Sequence, residues 1–266
     1  MEDLLELVLT TTDGVSISAV HVPGEPPVER ELCLVVVHGF TGSWREERVQ
    51  KVMGRLAEFG GVVAIDMRGH GRSGGETTVG DAEIRDVEAA VVWARELGYA
   101  QVVTVGFSLG GAVVLRESAL MAGGPGRVDA VVSVSAPAFW YYRGTRIMRV
   151  AHWMVETRPG RLVMRVGGTR ITSRGWTEPH PIPPFEAAAL LGPIPLLVVH
   201  GDADHYFPLE HPRAIHDAAV RSGVRTDLWI EPGFGHAESA VSGEILDRIG
   251  AWARECTVGA RGSETP

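Results

Sequence analysis

Short apolar runs and amphipathic segments follow one another along the chain, and this pattern predicts alternating strands and helices. The predicted strands are short apolar runs, and the one at 32–37 is continuously apolar, as a strand buried on both faces of a parallel sheet should be. They cover 7–10, 15–22, 32–37, 62–65, 101–105, 128–134, 195–199 and 226–230. The first two flank Asp13-Gly14, a hairpin signal, so the chain is expected to begin with an antiparallel pair.

The segments between the later strands carry apolar residues at the 3.6-residue period of a helix. Predicted helices cover 46–59, the segment between Asp81 and Gly98, 111–120, 213–221 and 242–254. Asp81 is expected to cap the second of them. Strands that alternate with helices after a hairpin predict an α/β fold, a mainly parallel twisted sheet with helices on both faces. The polar end, 259–266, is predicted to be a frayed tail.

One stretch, 138–192, breaks the alternation because it is far too long for a simple crossover between two core strands. It starts with four aromatic residues at 139–142 and continues with apolar residues at helical spacing between positions 147 and 155. We expect this stretch to be an inserted cap over the carboxyl ends of the strands, where open α/β sheets bind ligands. The core of the fold would then consist of 1–137 and 193–258.

The composition is that of an ordinary globular domain, with 266 residues, 45% hydrophobic and 22% charged. No apolar stretch approaches the roughly 20 residues that span a bilayer, so we expect no membrane span. The acidic start lacks the apolar core of a signal peptide. Two cysteines, Cys33 and Cys256, are typical of a reducing compartment without disulfides. We therefore expect a cytoplasmic protein.

The charge is unevenly distributed along the chain. The net charge of −8 argues against nucleic acid as a partner. Residues 138–190, by contrast, hold eight arginines and three acidic residues, a net charge of +5. This segment is either a solvated arginine face or a surface that attracts an anionic substrate. The candidate pocket residues in it are Trp140, Tyr141, Arg143 and Arg146, of which the two aromatic residues could equally pack beneath the cap.

The strongest chemical signal is the G-x-S-x-G sequence at 106–110, between a predicted strand and a predicted helix. A nucleophile elbow requires this context. The strand delivers the serine to a sharp, strained turn that exposes its oxygen, and the flanking glycines avoid collisions. Sequence and context together predict Ser108 as a catalytic nucleophile.

A catalytic serine needs a histidine that takes its proton and a carboxylate that orients the histidine. His236 lies in a glycine-rich loop between the last predicted strand and helix, from which it could reach Ser108. Asp202 and Asp204 both follow strand 195–199 and precede the histidine, as the chain order serine, acid, histidine requires. Asp202 is suited to shaping the turn through its own backbone, whereas Asp204 could point at the histidine.

The oxyanion of the tetrahedral intermediate needs backbone N–H donors. One donor is expected from Leu109, directly after the nucleophile, and the other from the loop that follows strand 32–37. Gly39 and Gly42 allow this loop to turn its amides toward the site. Phe40 is therefore the predicted second donor.

With these motifs the chain resembles the α/β-hydrolase superfamily, and the resemblance covers nearly its whole length. Residues 66–73 match the D-x-R-G-H-G-x-S loop that is common in that family. Residues 38–43 are similar to the oxyanion segment of feruloyl (cinnamoyl) esterase-like members. The resemblance implies a serine hydrolase of carboxylic esters, most simply a carboxylesterase, that needs no cofactor.

The same resemblance bears on the choice of the acid. The acid motif of the family, G-x-x-D followed by proline, falls on Gly201, Asp204 and Pro208. Its base motif puts the histidine at His236. The comparison with the family thus favours Asp204 over Asp202.

Other functions remain as alternatives. Within the fold, an acyl thioesterase that acts on an anionic, carrier-linked substrate comes first, and a C–C bond hydrolase is less favoured. A non-catalytic ligand-binding protein on a hydrolase scaffold is the alternative from another class, since fold alone confers no activity. The G-x-G-x-x-G sequence at 69–74 lacks the acid that dinucleotide binding requires. The histidines and aspartates between 200 and 211 match no zinc spacing, so no metal is expected.

Overall fold

The computed structural model describes residues 4–24, 30–176 and 178–258, and the predicted frayed tail lies outside them. Eight strands form one sheet in the order β1-β2-β4-β3-β5-β6-β7-β8. They are β1 (Leu5–Thr10), β2 (Ser16–Val22), β3 (Leu32–Val37), β4 (Gly61–Ile65), β5 (Gln101–Phe107), β6 (Ala130–Val134), β7 (Leu196–Gly201) and β8 (Thr226–Glu231). The β1–β2 and β2–β4 pairs are antiparallel, and all pairs from β4 to β8 are parallel. The predicted fold class is confirmed.

Helices cover both faces of this sheet. They are α1 (Glu47–Leu56), α2 (Ile84–Glu96), α3 (Leu109–Leu120), α4 (Arg146–Glu156), α5 (Arg158–Val166), α6 (Pro184–Ala189), α7 (Glu210–Arg221) and α8 (Gly243–Val258). Helices α1 and α8 enclose one apolar cluster, and α2, α3, α6 and α7 enclose the other. Within the described part of the chain, no helix is both long enough and apolar enough to cross a bilayer.

The parallel register brings several loops to one edge of the sheet. Phe107 at the end of β5 pairs with Val134 at the end of β6, and Gly201 of β7 pairs with Glu231 of β8. Strands β5, β7 and β8 therefore deliver their following loops to the same carboxyl edge. Ligands bind at this edge in open α/β sheets.

The stretch predicted as a cap, 138–192, contains three helices. Helices α4 and α5 pack against each other and meet at Thr157, whose side chain accepts the Gly160 N–H at the start of α5. Helix α6 differs from them, because it packs on α3 and α7 and buries Ala187 and Ala188 in the core cluster. The part of this stretch outside the core layer is therefore α4 and α5 with their flanking loops.

The expected cap of the second helix is wrong. Helix α2 begins at Ile84, and its N-cap position is Glu83 rather than Asp81. The carboxylate of Glu83 is buried and accepts the backbone N–H groups of 78–80. This folded-back loop delays the start of the helix. It also forces Val79 into the left-handed region, at φ 56°.

Candidate active site

Ser108 lies on a strained turn at the carboxyl end of β5. Its φ and ψ angles are 51° and −116°, and helix α3 begins at the next residue. Its own N–H is held by the carbonyl of Val134, at 2.8 Å. A Cβ at Gly106 would collide with the Gly110 carbonyl, and one at Gly110 would collide with the Val37 carbonyl. The glycines of the motif are thus required by close backbone contacts, and the turn presents the serine oxygen to the cavity described below.

His236 reaches Ser108 from the loop after β8. Its Nε2 atom lies 2.9 Å from Ser108 Oγ. The Tyr206 ring stacks on the imidazole at 3.9 Å with an angle of 17° between the planes, and Phe207 meets it edge-on. Two aromatic side chains therefore restrict the rotation of the histidine ring.

Asp204 completes the line of three side chains. Its Oδ2 lies 2.8 Å from Nδ1 of His236, and its Oδ1 accepts the N–H groups of Tyr206 and Phe207 at 2.7 and 3.1 Å. Burial alone would raise the pKa of this carboxyl, but the hydrogen bonds from His236 and Phe207 lower it below its usual value. An ionised Asp204 accepts the Nδ1–H of His236, which leaves Nε2 to accept the Ser108 hydroxyl proton.

Asp202, the competing acid, lies elsewhere. Its Oδ1 accepts the N–H of Gly233 at 2.7 Å, which ties the loop after β7 to the loop after β8. This contact shapes the turn, the role that its position directly after Gly201 suggested. Of the two aspartates, only Asp204 is hydrogen-bonded to the histidine.

Phe40 and Leu109, the predicted oxyanion donors, both line the cavity beside Ser108. Within the described residues, no protein acceptor is bonded to either backbone N–H. His38 supports the loop that carries Phe40: its Nδ1 donates to the Gly39 carbonyl at 2.7 Å, and its Nε2 accepts the Met67 N–H at 3.0 Å. Burial lowers the pKa of His38 to about 3, so this histidine is neutral and structural.

Glu238 is a site residue that the sequence analysis missed. Its carboxylate accepts the N–H of Gly39 at 2.5 Å and lines the same cavity. The one signal in the sequence is an acidic residue two positions after His236, in an otherwise glycine-rich loop. Tyr206 and Phe207, which follow Asp204, were missed as well, because their contact with His236 depends on how two loops pack.

A cavity of about 1120 Å³ opens onto Ser108 and extends beneath α4 and α5. Most of its lining is apolar. The apolar lining includes Phe40, Val79, Leu109, Ile147, Met148, Val150, Ala151, Met154, Val155, Met164, Ile171 and Trp176. Several of these residues lie on α4 and α5, so the two helices form the wall of the cavity that faces the nucleophile.

The four predicted pocket residues are divided by the structure. Trp140, Tyr141 and Arg146 line the cavity. Arg143 does not: its guanidinium binds both carboxylate oxygens of Glu156, at 2.6 and 2.7 Å, and of this pair Glu156 is the residue that lines the cavity. The described residues contain no group of three or more histidine, cysteine or acidic side chains arranged to hold a metal ion.

A serine, a histidine and an aspartate in line at the carboxyl edge of this sheet are typical of hydrolases with an α/β fold. The model of the alpha/beta hydrolase family matches residues 34–178, and the chain belongs to that family. The resemblance inferred from the motifs is thus confirmed, and the protein is a hydrolase.

Known proteins resemble this chain over most of its length. A monoacylglycerol lipase of Mycolicibacterium smegmatis is 27% identical, in an alignment that covers 85% of this chain and 89% of the lipase. The esterase Pf2001 of Pyrococcus furiosus is 22% identical with a TM-score of 0.75, over 96% of this chain and 91% of the esterase. Est1E of Butyrivibrio proteoclasticus, solved with ferulic acid, is 20% identical with a TM-score of 0.64, over 95% of this chain and 98% of Est1E. The two structures have the same fold as this chain.

Proposed function

We propose that the protein hydrolyses carboxylic esters through an acyl-enzyme intermediate on Ser108. The observation that carries the proposal is the unbroken line from Asp204 through His236 to Ser108, with hydrogen-bond distances of 2.8 and 2.9 Å. A nucleophile, a base and a residue that orients the base are the minimum set for acyl transfer by serine.

The reaction follows from the positions of these groups. Ser108 Oγ attacks the ester carbonyl carbon while its proton passes to Nε2 of His236, and Asp204 stabilises the resulting imidazolium. The negative charge on the carbonyl oxygen is accepted by the N–H groups of Phe40 and Leu109. When the tetrahedral intermediate collapses, the C–O bond breaks and His236 returns its proton to the leaving alcohol. A water molecule then attacks the acyl-enzyme with the same base, and the acid product and free Ser108 result.

The cavity supports esters with a sizeable apolar acyl or aryl group. Binding sites for drug-sized molecules are commonly about 300–1,000 Å³, and this cavity of about 1120 Å³ exceeds that range with a mainly apolar lining. Three methionines, Met148, Met154 and Met164, give the wall adaptable surfaces that suit chains of different length. The relative named as a monoacylglycerol lipase is consistent with such a substrate.

A thioesterase for anionic, carrier-linked substrates is the second candidate, and the arginines at the cavity favour it. Four arginines contribute to the lining: Arg48, Arg146, Arg161 and Arg174. Two carboxylates, of Glu156 and Glu238, also reach the cavity. This mixed charge favours neutral esters, so the ester hydrolase stays the first proposal.

Serine labelling tests the proposal at the level of chemistry. A fluorophosphonate probe should label the wild type but not Ser108→Ala, and the same change should abolish turnover of p-nitrophenyl esters. A panel of esters and matching thioesters of graded acyl length then identifies the preferred substrate. An unlabelled, inactive wild type would favour the non-catalytic ligand-binding protein instead.

The proposal also includes a cytoplasmic location and small-molecule substrates rather than nucleic acid. Both cysteines are reduced and buried, which suits a reducing compartment. The net charge of −8 opposes binding to a polyanion. Fractionation of cells that produce the protein tests the location.

A further inference from the structure

Glu238 joins two loops of the proposed active site. It lies two residues after His236, on the loop after β8, and its carboxylate accepts the N–H of Gly39 on the loop after β3. These loops are 199 residues apart in the chain. One loop carries the base of the proposed reaction, and the other carries the predicted oxyanion donor Phe40.

The direction of the Glu238 side chain is built into a strained turn. Ala237 has a φ angle of 52°, although it is not glycine. Its N–H donates to the buried hydroxyl of Ser135, which also has a positive φ of 51°. Such conformations cost about 1–3 kcal/mol each and persist only where the surroundings enforce them. The turn between His236 and Glu238 is therefore specified by the fold rather than by chance.

The contact with Gly39 is close. A Cβ built on Gly39 would lie 3.3 Å from both carboxylate oxygens of Glu238 and 3.2 Å from Cβ of Ser108. The carboxylate is thus near the place where a carbonyl oxygen gains negative charge during the reaction. Coulomb repulsion makes that position unfavourable for a bare negative charge. Direct electrostatic stabilisation of the oxyanion is therefore not the task of Glu238.

The hydrogen bonds around Gly39 point to an orienting task instead. Glu238 accepts the N–H of Gly39. The carbonyl of Gly39 accepts from His38 Nδ1 at 2.7 Å and from the Gly42 N–H at 3.0 Å. Glycine rotates more freely about its backbone than any other residue. Restraints on both of its polar groups fix the peptide plane that carries the Phe40 N–H.

We propose that Glu238 is a positioning residue that keeps the Phe40 N–H directed at the carbonyl oxygen above Ser108. The inference rests on the proposed ester hydrolysis. It adds the Glu238–Gly39 contact to the line of Ser108, His236 and Asp204. Its hydrogen bond, not its charge, is the property that matters. This distinction can be tested, because glutamine keeps an acceptor oxygen at the same distance from the backbone.

The test compares Glu238→Gln with Glu238→Ala, and uses Glu244→Ala, an exposed glutamate in the first turn of α8, as the matched control. We expect Glu238→Gln and the control to keep kcat within about threefold of the wild type. Glu238→Ala should lower kcat about 10- to 100-fold, less than the loss of a whole oxyanion donor, with KM nearly unchanged. The affinity of Glu238→Ala for a trifluoromethyl ketone, which forms a tetrahedral adduct with the serine, should fall by a similar factor.

Three outcomes would overturn the inference. Wild-type kcat in Glu238→Ala would exclude an orienting role. An equal loss in Glu238→Gln would assign the effect to charge. A lower Tm in Glu238→Ala without a change in kcat per folded molecule would make the contact purely structural. Failure of the proposed function itself is distinguishable from all three, because the wild type would then hydrolyse no ester and Ser108 would stay unlabelled.

Discussion

Asp204 and His236 share a hydrogen bond of 2.8 Å between Oδ2 and Nδ1, although they lie on loops after different strands. The second oxygen of the carboxylate is occupied by the backbone N–H groups of Tyr206 and Phe207. The carboxyl is therefore fixed in orientation, and its pKa stays low despite its burial. Both features favour an ionised acid that selects one tautomer of the histidine.

The first prediction concerns this acid. Asp204→Asn should lower kcat about 10³- to 10⁴-fold, because an amide at this position no longer selects the tautomer in which Nε2 is free to accept a proton. Michaelis–Menten kinetics with a p-nitrophenyl ester measures the effect. Asp202→Asn is the matched control, and it should keep kcat near the wild type because the Asp202 side chain accepts the Gly233 N–H, as an asparagine oxygen also can. Equal losses in the two variants would contradict the assignment.

The sequence predicted the elements of the site better than their contacts. The G-x-S-x-G pattern located Ser108 because the turn chemistry is entirely local to 106–110. The choice between Asp202 and Asp204 rested on turn chemistry and on the resemblance to a family, since both residues follow the same strand. Glu238 was missed because its partner, Gly39, is 199 residues away and no local pattern encodes that contact.

The stretch predicted as a cap shows the same limit. Its apolar residues at helical spacing between 147 and 155 indicated a helix, and the structure has α4 there, whereas no pattern indicated α5. Periodicity does not reveal which neighbour covers an apolar face, so α6 was assigned to the cap although it packs in the core. The arginines were treated alike for the same reason, whereas Arg143 pairs with Glu156 and Arg146 lines the cavity.

The second prediction follows from that difference between the arginines. If the cavity attracts anionic substrates, Arg146→Ala should lower kcat/KM for an ester with a carboxylate on its acyl chain, by about three- to tenfold at low salt. A neutral ester of the same length should be unaffected. Arg165→Ala removes an equal charge from the exposed surface of α5, outside the cavity, and is the control. If Arg146→Ala affects neither ester, and both respond equally to ionic strength, then the arginines form only a solvated face.

The third prediction concerns the elbow. Gly106→Ala should prevent folding, because its Cβ would collide with the Gly110 carbonyl. Gly54→Ala, the control, lies within α1 with no atom within 4 Å of the added Cβ. It should raise the free energy of unfolding by about 0.5–1 kcal/mol, the gain of alanine over glycine in a helix. Thermal unfolding followed by circular dichroism measures both changes.

The fourth prediction concerns stability at acid pH. Burial lowers the pKa of His211 to about 4, and its Nδ1 accepts the Ala138 N–H at 2.9 Å. Between about pH 6.5 and 4, the His211 imidazole therefore binds a proton in the unfolded chain, where its pKa is near 6.5, but not in the folded state. The stabilising contribution of His211 is complete above pH 6.5 and is lost as the pH falls through this window. The slope is at most about 1.4 kcal/mol per pH unit.

His211→Asn tests this linkage, because the asparagine oxygen can accept the Ala138 N–H but does not titrate. The decline in the free energy of unfolding between pH 7 and 5, measured with urea, should be shallower than in the wild type. His216→Asn, on the partly exposed side of the same helix, is the control. A slope in His211→Asn that matches the wild type would mean that other groups cause the acid sensitivity.

The fifth prediction tests whether the acyl group occupies the cavity beneath α4 and α5. Ala151 lines that cavity from α4, so Ala151→Phe should fill part of it and shorten the longest acyl chain that fits. Each methylene kept out of an apolar site costs about 0.8 kcal/mol, or about fourfold in kcat/KM. The variant should therefore lose activity progressively along a series of p-nitrophenyl esters while the acetate ester remains unaffected. Val166→Phe, on exposed α5 surface outside the cavity, should leave the whole series unchanged. A uniform loss across all chain lengths in Ala151→Phe would mean that the acyl chain lies elsewhere. Only acyl chains long enough to reach α4 should be affected by the new side chain.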